Sequence, residues 1–118
     1  MSNMPLRAVA FTLLASLSLA SNCRADETPA SRNIVSLGCH DVGGTCYVTL
    51  DGPSFGSSLG CSVGATTQFR FDNGNTDEGR RAYASFLAAY LSGKRVTVDL
   101  SGCSTQGYPQ LVYYYIGQ

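Results

Sequence analysis

Tryptophan is absent and histidine occurs once. Acid–base and nucleophilic catalysis draw on histidine more than on any other side chain, so enzymatic chemistry is thinly supplied here. Charged residues make up only 14% of the chain, which excludes both a charge-rich coiled coil and a polar disordered tail. Eight basic residues are matched by eight acidic ones. Without a basic excess there is no electrostatic footprint for a phosphate backbone, and nucleic acid is not an expected partner. No apolar run reaches the roughly 20 residues that a bilayer-crossing helix needs, so no membrane span is expected. Repeats, charge runs and linkers are also missing. The 118 residues are therefore read as one small domain.

What is present begins with an export signal over 1–25. Arg7 supplies the positive start, Ala8–Ala20 the apolar middle, and Ser18-Leu19-Ala20 or Cys23-Arg24-Ala25 the small-residue cleavage site. A lipid anchor on Cys23 fits less well, because Asn22 precedes it. Cleavage after Ala25 predicts a slightly acidic periplasmic or secreted domain. It also removes Cys23 and leaves Cys39, Cys46, Cys61 and Cys103, an even set in an oxidising compartment. Cys39–Cys46 with Cys61–Cys103 is the first pairing; Cys46–Cys61 with Cys39–Cys103 is the second. Each bridge is worth roughly 2–4 kcal/mol through the unfolded chain. Cys39-His40 lacks a Cys-x-x-Cys neighbour, so neither a metal nor any other cofactor is expected.

Residues 26–32 are polar, contain Pro29 and read as a flexible lead-in to a domain over 33–118. Strands are expected at 33–39, 46–51, 66–71, 96–100 and 109–116, where apolar and polar residues alternate or β-branched and aromatic residues cluster. Asp41-Val42-Gly43-Gly44 reads as a turn and 52–60 as a loop. A helix follows Asp72-Asn73-Gly74, capped by Asn75 or Thr76, with Tyr83, Phe86, Leu87, Tyr90 and Leu91 as its apolar face and Gly93 as its stop. The order β-β-β-α-β-β predicts a mainly β fold: a small, disulfide-stabilised, five-stranded OB-fold barrel with one helix between strands three and four. An α+β sandwich is the competing architecture.

Ser92-Gly93-Lys94-Arg95-Val96-Thr97-Val98 after an aromatic helix, followed by Gly107-Tyr108-Pro109, resembles the B subunits of pertussis-like AB5 toxins, of the subtilase cytotoxin and typhoid toxin type. Ser31-Arg32-Asn33-Ile34-Val35-Ser36 is similar to the start of their first strand, and the likeness runs over about Ser31–Gln118. The resemblance implies an OB-fold, a homopentamer, a host or surface glycan as ligand, and a possible exported catalytic A subunit as companion. It also implies that Ser31 matches a serine of the toxins' glycan pocket. Pro29 stands where a pocket tyrosine would be, and the pocket's basic groups fall near Asp51 and Thr97. An acidic Asp51 there is expected to repel a sialate carboxylate.

Tyr108, Tyr113 and Tyr115 complete the candidate glycan-binding set with Ser31, since aromatic rings stack on sugar faces and also fill interfaces. Alternation puts Tyr113 and Tyr115 on one face and Tyr114 on the other, with Val112 and Ile116. His40-Asp41 with Ser36 or Ser104 makes a poor triad, and no Gly-x-Ser-x-Gly elbow occurs; no catalytic residue is expected. Asp72–Asp77 reads as a turn and helix cap rather than a calcium loop, because position twelve is Tyr83. The expected function is thus a non-enzymatic exported glycan-binding module. The alternative is a periplasmic structural or interaction protein, an inhibitor or envelope accessory domain, without sugar binding.

Overall fold

The computed structural model describes residues 3–5 and 25–117. The apolar run Ala8–Ala20 that carries the export signal lies outside the described residues. The elements are β1 (Asp26–Glu27), β2 (Ile34–Cys39), β3 (Cys46–Leu50), β4 (Gln68–Phe71), α1 (Asp77–Ser92), β5 (Val96–Cys103) and β6 (Pro109–Ile116), with a single 3-10 turn at Ser57–Leu59. The fold is mainly β with one helix. The strands form an open, mixed six-stranded sheet in the order β1-β5-β6-β4-β3-β2, and all its ladders are antiparallel except β4 with β6.

Two expectations are corrected here. The sheet has six strands and is open; it is not a closed five-stranded barrel. The segment that leads into β2 meets β5 where Arg32 and Val96 exchange backbone hydrogen bonds of 2.9 and 2.8 Å. The ladder cannot continue beyond that pair, because Ser31 turns at a positive φ of 52° and Pro29 has no N–H to donate. The segment 26–32 is also not a free lead-in. Asp26 and Glu27 pair with Ser101 and Leu100, and the Pro29 carbonyl accepts from Val98 N.

Cys46, Val48, Leu50, Phe69, Phe71, Val96, Val98 and Leu100 all point inward, as their alternation requires. Helix α1 covers this core. Thr76 caps it, accepting from Gly79 N through its hydroxyl, and Asp77 and Glu78 in the first turn suit the positive end of the dipole. Of the apolar face that spacing suggests, Phe86 is buried and Tyr83 packs partly buried against the core. Gly79, Ala82, Phe86 and Ala89 are buried, whereas Leu87, Tyr90 and Leu91 are exposed. At Gly79 the reason is steric: a Cβ there would lie 1.9 Å from the carbonyl oxygen of Asn73, in the turn that leads into the helix. Phe86 is the large side chain that α1 buries fully. Its ring lies 5.4 Å from Phe69, 6.3 Å from Phe71 and 4.8 Å from Tyr114.

Disulfides join Cys39 to Cys46 and Cys61 to Cys103, across 7 and 42 residues of chain. The first staples the β2–β3 hairpin, and the second ties the loop after the 3-10 turn to the end of β5. No helix among the described residues is long and apolar enough to cross a membrane.

Replacing Phe86 with Ala should cost about 3–5 kcal/mol, read as a lowered midpoint in urea or thermal unfolding. The Gly79→Ala variant should also melt well below the wild type, although alanine favours a helix by about 1 kcal/mol over glycine. Unchanged melting in the second variant would mean that Gly79 does not lie as close to the Asn73 carbonyl as described.

Candidate functional site

β5 is the strand on which the candidate residues converge. Val96, Val98 and Leu100 face the core, so Arg95, Thr97 and Asp99 belong to the outer face. Across the β5–β6 ladder Thr97 opposes Tyr115, and Asp99 opposes Tyr113. Cross-strand partners share a face, which puts both tyrosines on that same surface. Their rings are 6.3 Å apart and both are exposed. On the other side of β5, Ser31 N–H donates to Thr97 Oγ1 at 3.0 Å. Thr97 is thereby buried beneath its neighbours, at 4% exposure. Ser31, Thr97, Tyr115 and Tyr113 form one continuous row.

The row has a charged corner. Arg95 Nη1 donates to the Ser31 carbonyl at 2.6 Å. Asn33 donates to Asp51 twice, from its backbone N to Oδ1 at 2.8 Å and from Nδ2 to Oδ2 at 3.1 Å. Those two hydrogen bonds, assisted by the positive charges of Arg95 and Arg32, hold the Asp51 carboxyl below its ordinary 3.8. Arg32 itself donates to the Asp51 and Pro53 carbonyls at 2.7 and 3.0 Å. Asp51 is therefore not the bare repelling charge that the sequence suggests, since two arginines act on it. The Ser31 hydroxyl makes no hydrogen bond among the described residues.

Ser31 is held in the left-handed backbone region, which is unusual for a residue other than glycine and clusters at functional sites. What over-determines it is visible. Its N–H, its carbonyl and the flanking Arg32–Val96 exchange are all engaged.

Tyr108 lies elsewhere. It follows β5 in the loop to β6 and stacks on Arg70, whose Cζ is 3.7 Å from the ring centroid. Of the four predicted glycan residues, three share the outer face of β5 and β6, and the fourth joins a separate cluster over β3 and β4. Sequence reasoning named Arg95 and Arg32 only within the toxin-like segments and the lead-in, and did not count them among the site residues. The signal that could have found Arg95 is its period-two spacing from Thr97 and Asp99.

A groove of about 730 Å3 opens at Val112, next in the chain to Tyr113, and is lined by Ser58, Leu59, Ser101, Cys103 and Gln110 among others. A smaller cleft of about 240 Å3 lies against Thr28, Pro29, Arg32 and Phe55. None of the four predicted residues lines either one.

The remaining motifs have structural roles. His40 is exposed in the β2–β3 turn, and Ser104 is buried in the β5–β6 loop. Asp72 accepts from the hydroxyls of Thr45 and Thr105, both at 3.1 Å, and from Thr105 N at 2.9 Å. It locks three loops together. Among the described residues no group of three or more His, Cys, Asp or Glu side chains is placed to hold a metal ion. No known family model matches the chain, and no curated protein matches it at significant similarity.

The depressed Asp51 acidity has a sign that can be checked. A carboxyl whose folded value lies below its unfolded one adds stability above the unfolded value and loses it as pH falls through the folded value. The Asn33→Ala variant should therefore raise the Asp51 titration midpoint, followed by carboxyl NMR, and flatten the acid limb of stability below about pH 4. An Asp51 midpoint that does not move would show that Asn33 is not its principal partner.

Proposed function

We propose that this chain is an exported, non-enzymatic glycan-binding module of the kind formed by the B subunits of pertussis-like AB5 toxins. The observation that carries the reading is the row Ser31–Thr97–Tyr115–Tyr113 with Arg95 at its end. It offers a free hydroxyl, a cation and two exposed rings along one surface. Pyranose rings present apolar C–H faces and a rim of hydroxyls, and such a row meets both. Arg95 supplies a positive group at the corner where Asp51 and Thr97, which stand near the positions of the toxins' basic groups, supply none.

The fold reading is an OB-type strand arrangement with incomplete closure. It is supported by the parallel pairing of β4 with β6, the helix between β4 and β5, and the Arg32–Val96 exchange that joins the segment leading into β2 to β5. Signal, disulfides and slightly acidic surface fit a periplasmic or secreted protein. The accompanying proposals are a homopentamer and an exported catalytic A subunit as companion.

One observation favours a second reading, an envelope interaction protein without sugar binding. β4 and β6 pair only where Arg70 opposes Gln110, so β6 beyond that point presents an unpaired edge on that side. Val112, Tyr113, Tyr115 and Ile116 along it are all exposed, as are Leu87, Tyr90 and Leu91 of α1. Such an edge invites another strand or an apolar partner.

A glycan array combined with solution mass by light scattering separates the readings. The first expects sugar binding by a five-fold assembly; a monomer that binds no sugar overturns it. On an immobilised glycan, Ser31→Ala should weaken binding about three- to tenfold per site, the worth of one neutral hydrogen bond, and leave folding intact. Multivalent display enlarges that loss by avidity, so a free monovalent sugar should be measured beside it.

A further inference from the structure

We propose that the outer face of β3 and β4 carries a separate anion subsite, centred on Arg70, which takes the carboxylate of a uronic-acid-type saccharide. Tyr47 and Thr49 of β3 stand opposite Arg70 and Gln68 of β4, all four on the solvent side of the sheet. The Arg70 guanidinium lies flat on Tyr108, 3.7 Å from the ring centroid, with the Tyr47 ring 6.0 Å away. Gln68 Oε1 accepts from Arg70 Nε and Nη2 at 3.0 and 2.9 Å, and Gln106 Oε1 accepts from Nη1. Gln68 is itself fixed, since its Nε2 donates to Thr49 Oγ1 at 3.2 Å.

Two features point to a ligand. Arg70 makes no salt bridge: among the described residues the one ion pair is Arg80 with Asp77. Its charge is held by neutral groups and has no counter-ion among the described residues. Three of its five N–H donors are used, which leaves one on each terminal nitrogen. Two donors in one guanidinium plane suit the two oxygens of a carboxylate. The Tyr47 ring lies across Gly38, where a Cβ would come within 2.6 Å of its hydroxyl oxygen. The tyrosine is therefore pinned flat beside the cation, an apolar surface next to a charge. An arginine restrained in this way loses little further freedom on binding.

That the carboxylate belongs to a saccharide rests on the function proposed above; the anion subsite does not. The test is NMR titration of the 15N-labelled chain with sodium glucuronate, glucose, glucose 6-sulfate and sodium acetate. Glucuronate should shift Arg70 Nε–H and the Tyr47, Gln68 and Tyr108 signals, with glucose leaving them in place. Arg70→Gln should weaken glucuronate about tenfold or more, and Arg70→Lys should fall between, because it keeps the charge and loses the fork and the stack. Retained dispersion of the spectra checks folding in both variants. Equal shifts with glucose, or unchanged affinity in Arg70→Gln, overturn the subsite. Tighter binding of glucose 6-sulfate overturns the carboxylate assignment. Acetate binding as tightly as glucuronate overturns the saccharide and leaves a plain anion site. Tyr113 and Tyr115 signals in the same spectra report on the other face, so failure there is distinguishable from failure at Arg70.

Discussion

The sheet has one weak seam, and the rest of the molecule is arranged around it. β4 and β6 run parallel and meet in register only where Arg70 opposes Gln110. Hydrogen bonding at that point is too sparse to hold the β1-β5-β6 and β4-β3-β2 sides together. Phe86 does so from beneath. Its ring touches Phe69 and Phe71 on one side of the seam and Tyr114 on the other, and it is fully buried. Above the seam, Arg70 of β4 stacks on Tyr108 in the β5–β6 loop. Aromatic contact thus does on both faces what the backbone ladder does elsewhere. Gly79, Ala82 and Ala89 are buried on the same side of α1 as Phe86.

A second constraint acts at the opposite margin, along β5. Its inward residues form the centre of the core, and its outer residues receive the N-terminal segment. Pro29, Ser31 and Arg32 attach to Val98, Thr97 and Val96 one after another. This attachment brings Ser31 beside the tyrosines of β6, although they are more than 80 residues apart in the chain. It also covers Thr97, giving a polar side chain a buried position with a satisfied hydrogen bond. The two surfaces with ligand chemistry, around Ser31 and around Arg70, therefore flank the two places where the sheet is least continuous.

Much of this was legible beforehand. Strands two to six and the helix follow from period-two and helical spacing, and Pro109–Ile116 matches to the residue. Thr76 at the helix start and Gly93 at its end follow from capping chemistry. Cys39–Cys46 and Cys61–Cys103 correspond to the first of the two pairings considered. That Tyr113 and Tyr115 share one face also follows from alternation, whereas the structure decides that it is the outer one. Val112 breaks the same pattern, because a bulge between the Asp99–Tyr113 and Leu100–Leu111 pairs takes it out of register with Tyr114. No local signal marks such an extra residue.

What the amino-acid order settled by itself is local: which residues turn, which alternate, where a helix can begin, and which cysteines lie close enough to close a hairpin. Each depends on neighbours a few positions away. Tertiary structure decided which face of α1 is buried, that Asp26–Glu27 becomes a strand, that Ser31 meets Thr97 and Arg95, and that Tyr108 goes to Arg70 instead of to the other tyrosines. These choices turn on close approach and on hydrogen-bond partners far away in the chain. Helical spacing favoured Leu87, Tyr90 and Leu91 for the core because it weighs hydrophobicity alone. The folded molecule buries Gly79, Ala82 and Ala89 around Phe86, and at Gly79 the physical reason is steric, since a Cβ there would run into the Asn73 carbonyl.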